Sequence, residues 1–243
     1  MIPPDHPRYR SLVVRERLAA CARAGIVSLE GLTAHGRGEA FDYLLGERTT
    51  ESAFLAERTA AALFRCARSP VISVNGNTAA LAAAEIAALQ KACRAQVEVN
   101  LFHRTPERMQ KVTELLEDHG VRVLSGEPVR YLPLSHDRGL CLPAGVGAAD
   151  LVLVPLEDGD RCEALVRTGK TVIAVDLNPL SRTAGTATLT IVDEVTRALT
   201  NISVAFGSLG GEEAAGLVSG LDNHYFLKAA MDEISRRLSH ALD

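Results

Sequence analysis

The chain has 243 residues, 47% of them hydrophobic and 23% charged, with a net charge of −4. That composition belongs to an ordinary globular protein and excludes long disorder and collagen-like repeats. The acidic balance argues against a general nucleic-acid binder, and the absence of Trp removes the best base-stacking side chain.

The N-terminus, MIPPDHPRYR, has no apolar core of a secretory signal, and the longest uncharged stretch, 69–84, is too short and polar to span a bilayer. A cytosolic location and no membrane partner are therefore expected. Cys21, Cys66, Cys93, Cys141 and Cys162 stand far apart with no CxxC pair, which predicts reduced structural thiols.

Residues 1–68 read as a helical arm or cap. Ser11 to Ala24 predicts a helix closed by Gly25. Residues 39–45 predict a short helix after a Gly-flanked loop, and Thr50 to Arg68 an Ala-rich helix capped by Thr50. From residue 69 to the C-terminus, short apolar runs alternate with helical patterns. Strands are expected at Val71–Val74, Val97–Phe102, Val121–Leu124, Leu151–Pro155, Val172–Asp176 and Leu189–Val192. Helices are expected at Ala79–Cys93, Pro106–His119 and Arg161–Thr168. The pattern predicts a Rossmann-like α/β fold, a mostly parallel sheet with helices on both faces. The tail, Glu212–Asp243, predicts helix, with an apolar stripe of Leu227, Met231, Ile234, Leu238 and Leu242 that packs on its own sheet or on a second copy.

In such sheets ligands collect beyond the carboxyl ends of the strands. In VNGNTAAL, Gly76 allows a tight turn, Thr78 is a helix cap, and Asn75 and Asn77 are candidate ligand contacts. In VEVNLFHRTPER, Asn100, His103 and Arg104 suit a phosphate or carboxylate, with a solvated loop capped by Thr105 as the alternative. In HGRGEAFDYL, Gly36 and Gly38 flank Arg37. Glu39 and Asp42 could hold Mg²⁺ or simply favour the dipole of a first helical turn. In KTVIAVDLNPLSRT, Asp176 ends a strand and Asn178, Ser181, Arg182 and Thr183 follow it, a dense polar loop suited to ribose and phosphate. No Walker phosphate loop, GxGxxG, HExxH or GxSxG motif is present, and no metal-ligand spacing appears.

The strings HGRGEAFDYLLGE, SVNGNTAALAA, EVNLFHRTPER, ADLVLVPLEDGDR and DLNPLSRTAGTATLTIVD resemble those of the archaeal phosphopantothenate synthetases, the 4-phosphopantoate–β-alanine ligases, from His6 to about Asn201. The resemblance implies an ATP-dependent, AMP-forming amide synthesis in coenzyme A formation. It proceeds through an acyl-adenylate, with Mg²⁺, in a homodimer. It carries ATP contacts onto Arg15, Arg37, Asp176, Leu177, Asn178, Arg182, Thr183, Glu194 and Val195. Arg37 and Arg104 are then the candidate catalytic charges. Asn75, Asn77, Asn100, His103 and Arg104 are candidates for the acid substrate. The rival readings are an NADP-dependent reductase, with Arg104 on the 2′-phosphate, and a non-catalytic nucleotide-sensing module.

Overall fold

A computed structural model of the chain describes residues 2, 3, 5, 6 and 8–241. Three helices come first: α1 (Tyr9–Arg23), α2 (Leu29–Leu45) and α3 (Glu51–Cys66). The sheet then begins with β1 (Pro70–Val74), α4 (Gly76–Cys93), β2 (Gln96–Val99) and α5 (Pro106–Asp118). A small antiparallel hairpin, β3 (Val129–Arg130) with β4 (Leu140–Cys141), interrupts the alternation. It resumes with β5 (Leu151–Pro155), α6 (Gly159–Arg167), β6 (Thr171–Val175), α7 (Arg182–Thr186) and β7 (Leu189–Ile191). Three helices follow: α8 (Val195–Ser208), α9 (Gly211–Ser219) and α10 (Asn223–Ser239).

The main sheet has five parallel strands in the order β2-β1-β5-β6-β7. The expected α/β architecture is thus observed. Alternate residues divide the core, as a period of two requires. Ile72, Val74, Val97, Leu153, Ile173 and Ile191 join the apolar faces of α1, α3, α4 and α8. Val71, Val152, Val154 and Val172 face the other way, onto Cys141, Val146, Cys162 and Leu165. Among the described residues no helix is long and apolar enough to cross a membrane. All five cysteines are free thiols.

Several local expectations change. The loop expected around Gly36 and Gly38 is the middle of α2, which starts ten residues earlier than expected, where the Ser28 hydroxyl accepts from the Gly31 amide at 3.2 Å. Three glycines lower the intrinsic helix propensity there, and tertiary packing overrides them. Asn75, not Thr78, caps α4. Val121–Leu124 makes a single bridge, Val97 to Val123, rather than a full strand. The tail breaks at Gly220, and Asp222 caps α10. Leu227 and Ile234 from its stripe pack on Leu45, Leu177 and Val192, whereas Leu238 is exposed. Leu242 lies outside the described residues.

Gly76 sits where the turn between α1 and α2 meets the start of α4. A Cβ there would lie 2.3 Å from the Ile26 carbonyl oxygen, a backbone atom with no room to yield. Gly76→Ala should therefore cost about 1–3 kcal/mol despite Ala's better helix propensity. Urea unfolding would read this as a lower midpoint at unchanged slope. An unchanged midpoint would mean that the junction is looser than described.

Candidate active site at the carboxyl ends of the strands

The chain crosses from β1 to β2 on one side and from β2 back past β1 to β5 on the other. The helices after β1 and β5, α4 and α6, pack on opposite faces of the sheet, so the loops between them mark its topological switch point, the crevice position where open parallel sheets take ligands. Asn75 ties its floor. Its Oδ1 accepts from the Thr78 amide at 3.0 Å, and its Nδ2 donates to the Pro155 and Leu156 carbonyls at 3.2 and 2.9 Å. Leu156 has φ of 55°, a left-handed conformation unusual for a branched residue and held by this tie. Among the described residues the Gly76 and Asn77 amides at the start of α4 meet no acceptor. Asn77 turns away from the crevice and donates to the Gly31 carbonyl at 2.7 Å, bracing α4 against α2.

Beneath the crevice lies a buried polar network. The Glu157 carboxylate, just past β5, binds both Arg138 (2.5 Å) and Arg161, and the three side chains are 2%, 5% and 0% exposed. Arg161 Nη1 donates to Ser73 Oγ at 3.0 Å, and Ser73 donates to Asn100 Oδ1 at 2.8 Å. Asn100 Nδ2 then donates to Glu98 Oε1 at 2.9 Å. Glu98 in turn accepts the Leu142 and Val146 amides at 2.9 and 2.7 Å. Asn100, expected as a ligand contact, thus has its carboxamide occupied at both ends. Glu98, Arg138, Glu157 and Arg161 escaped the sequence reading. The only signal was the i, i+4 Glu157–Arg161 spacing straight after a strand.

The β2 end carries positive charge. The Arg104 guanidinium approaches the Val99 carbonyl at 3.5 Å and meets no carboxylate among the described residues, while its backbone amide donates to Asp137 Oδ2 at 3.4 Å; His103 is exposed beside it. The expected Thr105 cap of α5 is present. Arg108, one turn into α5, reaches back to donate to the carbonyls of Ile26 and His103, both at 3.1 Å. Burial and the nearby Arg138 charge lower its proton affinity.

The β6 and β7 ends meet the N-terminal helices. The Asp176 carboxylate accepts from the Asn178 amide at 2.9 Å and from the Ser181 hydroxyl, so it shapes its own loop; burial raises its pKa. Asn178 Oδ1 accepts from the Leu180 amide at 2.9 Å, and Leu177 packs on Leu45 and Phe41 of α2. Arg182 pairs with Glu163, and the Thr183 hydroxyl donates to the Glu157 carbonyl at 2.8 Å. Glu194 caps α8 by accepting from the Thr196 amide at 3.0 Å, and Val195 is buried behind it.

On α2, Arg37 is exposed, with no partner among the described residues. Arg15 grips Glu39 through two nitrogens, at 3.1 and 2.9 Å, and Tyr43 donates to the same carboxylate at 2.7 Å. His35, beside Glu39 and Glu194, is pushed below its usual pKa by burial. Asp42 binds Arg197 at 2.5 Å. Glu39 and Asp42 therefore do not converge on a cation, and they lie far from the first turn of α2. Among the described residues no three metal-ligating side chains converge.

Sheet and crevice define an α/β protein with two polar flanks at the strand ends: one basic, by β1 and β2, the other between α2 and the β6 and β7 loops. The family model for phosphopantothenate/pantothenate synthetase matches residues 52–237, and the chain belongs to that family. A relative in Methanospirillum hungatei named 4-phosphopantoate–beta-alanine ligase is 60% identical over 243 residues, the whole of both chains. Relatives of the same name are 53% identical in Methanosarcina mazei and 48% in Thermococcus kodakarensis. Each alignment covers 98% of this chain, and 95% and 94% of the respective relative.

Behind the α2 flank, burial and the neighbouring Asp193 carboxylate push Glu57 well above the usual carboxylate range. Asn201 donates to Glu57 Oε2 at 2.8 Å. The folded protein keeps this proton, whereas the unfolded chain releases it above about pH 4.3. Stability from this group is thus full in acid and lost as pH rises through the folded pKa, by at most about 1.4 kcal/mol per pH unit. Glu57→Gln cannot ionise. Melting curves from pH 5 to 8 should show wild type losing ground to the variant as pH rises. A constant difference would mean that Glu57 is ionised in the fold.

Proposed function

We propose that the protein is an ATP-dependent ligase that condenses 4-phosphopantoate with β-alanine to give 4′-phosphopantothenate, a step of coenzyme A biosynthesis. The observation that carries this reading is family membership with full-length relatives of that name at 45–60% identity. The two polar flanks of the crevice support it, one for each large anionic substrate. The same relatives favour a ligase over a reductase or a sensing module.

In this reading ATP lies along the β6 and β7 ends. Arg15, Arg37 and Arg182 face its polyphosphate, the loop Asp176, Leu177, Asn178 and Thr183 faces its ribose or base, and Glu194 and Val195 meet it at the start of α8. Arg15 and Arg182 are now paired with Glu39 and Glu163, so ATP must compete for them, whereas Arg37 has no partner among the described residues. The acid substrate lies over Asn75, His103 and Arg104, with Asn77 and Asn100 holding that wall from behind. Residues 1–68 close one side of the α/β unit of residues 69–243, with α1 and α3 packed into the sheet's own core.

The acid's carboxylate attacks the α-phosphorus, forming an acyl-adenylate and releasing diphosphate; the β-alanine amine then displaces AMP. Such a reaction depends on alignment and on fixed positive charge where negative charge builds up, which the arginines supply. Mg²⁺ when bound adds charge neutralisation on the polyphosphate. Among the described residues no three metal-ligating side chains converge, so in this reading the ion would be held chiefly by phosphates and water. The cytosol and a homodimer belong to the same proposal, with exposed Leu238 as the test position: Leu238→Glu should lower the mass seen by light scattering, and an unchanged mass would take α10 out of the interface.

With ATP, Mg²⁺, 4-phosphopantoate and β-alanine, chromatography should find AMP and diphosphate in equal amounts with the amide. Arg37→Ala should slow turnover by about 10²-fold or more. ADP and inorganic phosphate as products would overturn the adenylate route, and nucleotide left intact would overturn the ligase.

A further inference from the structure

We propose that Arg108 is the residue that recognises the phosphate of the acid substrate, and so sets the preference for a phosphorylated over an unphosphorylated hydroxy acid. The inference rests on the ligase reading above and names a residue that reading lacks. Four arginines stand around the β1–β2–β5 end of the crevice, and their neutralisation differs. Arg161 and Arg138 share the buried Glu157 carboxylate, and Arg138 also holds Asp158 at 3.0 Å. Arg104 stands off on the loop with one long carbonyl contact.

Arg108 is half-buried, and its partners are two neutral backbone carbonyls. The carboxylate charge that acts on it is that of exposed Glu30, while Arg138 repels it. Its Nη2 has no acceptor among the described residues, and a Cβ built on Gly76 would come within 2.9 Å of it. A guanidinium withdrawn from water without an anion is unfavourable unless an anion arrives. Here it is held by Nε and Nη1, with Nη2 left over close to Gly76, and the Gly76 and Asn77 amides of this first turn of α4 are unpaired among the described residues.

A phosphate monoester dianion offers enough oxygens to accept from all three donors at once, and an alcohol in its place would leave them unmet. Such charge-assisted contacts suit Arg, whose planar fork orients the donors, better than Lys. With the phosphate held there, the other end of the substrate extends across Asn75 toward the β6 flank, where the reading above puts the nucleotide.

The test is calorimetric titration of wild type and Arg108→Met with 4-phosphopantoate and with unphosphorylated pantoate, alongside turnover of both acids. Affinity and kcat/KM for the phosphorylated acid should fall about 10- to 100-fold in the variant, with those for pantoate and for ATP changed less than threefold. An equal fall for both acids would assign Arg108 a structural role only, and an unchanged phosphopantoate affinity would place the phosphate elsewhere; either overturns the proposal. Should Arg108→Met fail to fold, Arg108→Lys carries the same comparison: it keeps charge without the fork, and the selective loss should be smaller but present. Wild type that bound 4-phosphopantoate with this Arg108 dependence yet formed no amide would contradict the ligase and support the phosphate contact.

Discussion

The crevice depends on one buried carboxylate. Glu157, at the carboxyl end of the central strand β5, holds Arg138 from the hairpin segment and Arg161 from α6. Removing either side of such a group leaves a buried charge unmatched, at a cost of several kcal/mol. From this point hydrogen bonds run through Ser73 on β1 and Asn100 after β2 to Glu98, which gathers the backbone of the 142–146 turn. Three strand ends and the irregular segment between β2 and β5 are thereby locked in one register. The polar flanks are held by it rather than part of it.

The same division explains why the asparagines behave differently. Asn75 and Asn100 both follow strands, yet one forms the crevice floor and the other is sealed under it. A ligand-binding wall needs a rigid backing, since a loosely held group loses much of its effect on a reacting centre. Here Asn77, Asn100 and Asp176 fix backbone while neighbouring groups, among them Arg37, Arg104 and Arg108, keep donors uncommitted.

Much of the fold was legible in the chain. The β-branched runs and Ala-rich helices marked the five parallel strands and their crossovers, together with a sixth run, Val121–Leu124, that makes only one bridge, because period-two burial and helical stripes are local signals. The middle of α2 was not legible: Gly31, Gly36 and Gly38 argue for a loop, and only packing against α4 and Leu177 makes it a helix. The hairpin segment 125–147 was equally opaque, since its order comes from Glu98 and Arg138, long-range contacts without a periodic signature. Of the candidate site, the strand-end placement of Asn75 and Asp176 was legible from the alternation of strands and helices, while their contact with ligands belongs to the proposal. Arg108 was not, because it lies one turn inside a helix and reaches the crevice only through the length of its side chain.

The central claim is that nucleotide and phosphorylated acid lie on opposite flanks of the Asn75–Leu156 tie. The most direct measurement is a crystal structure with a non-hydrolysable ATP analogue and 4-phosphopantoate bound together. The prediction is adenosine between α2 and the Asp176–Thr183 loop, and the acid's phosphate at the first turn of α4, with its carboxylate facing the α-phosphate. Adenosine seated over the β1–β2 ends, or both ligands on one flank, would contradict it.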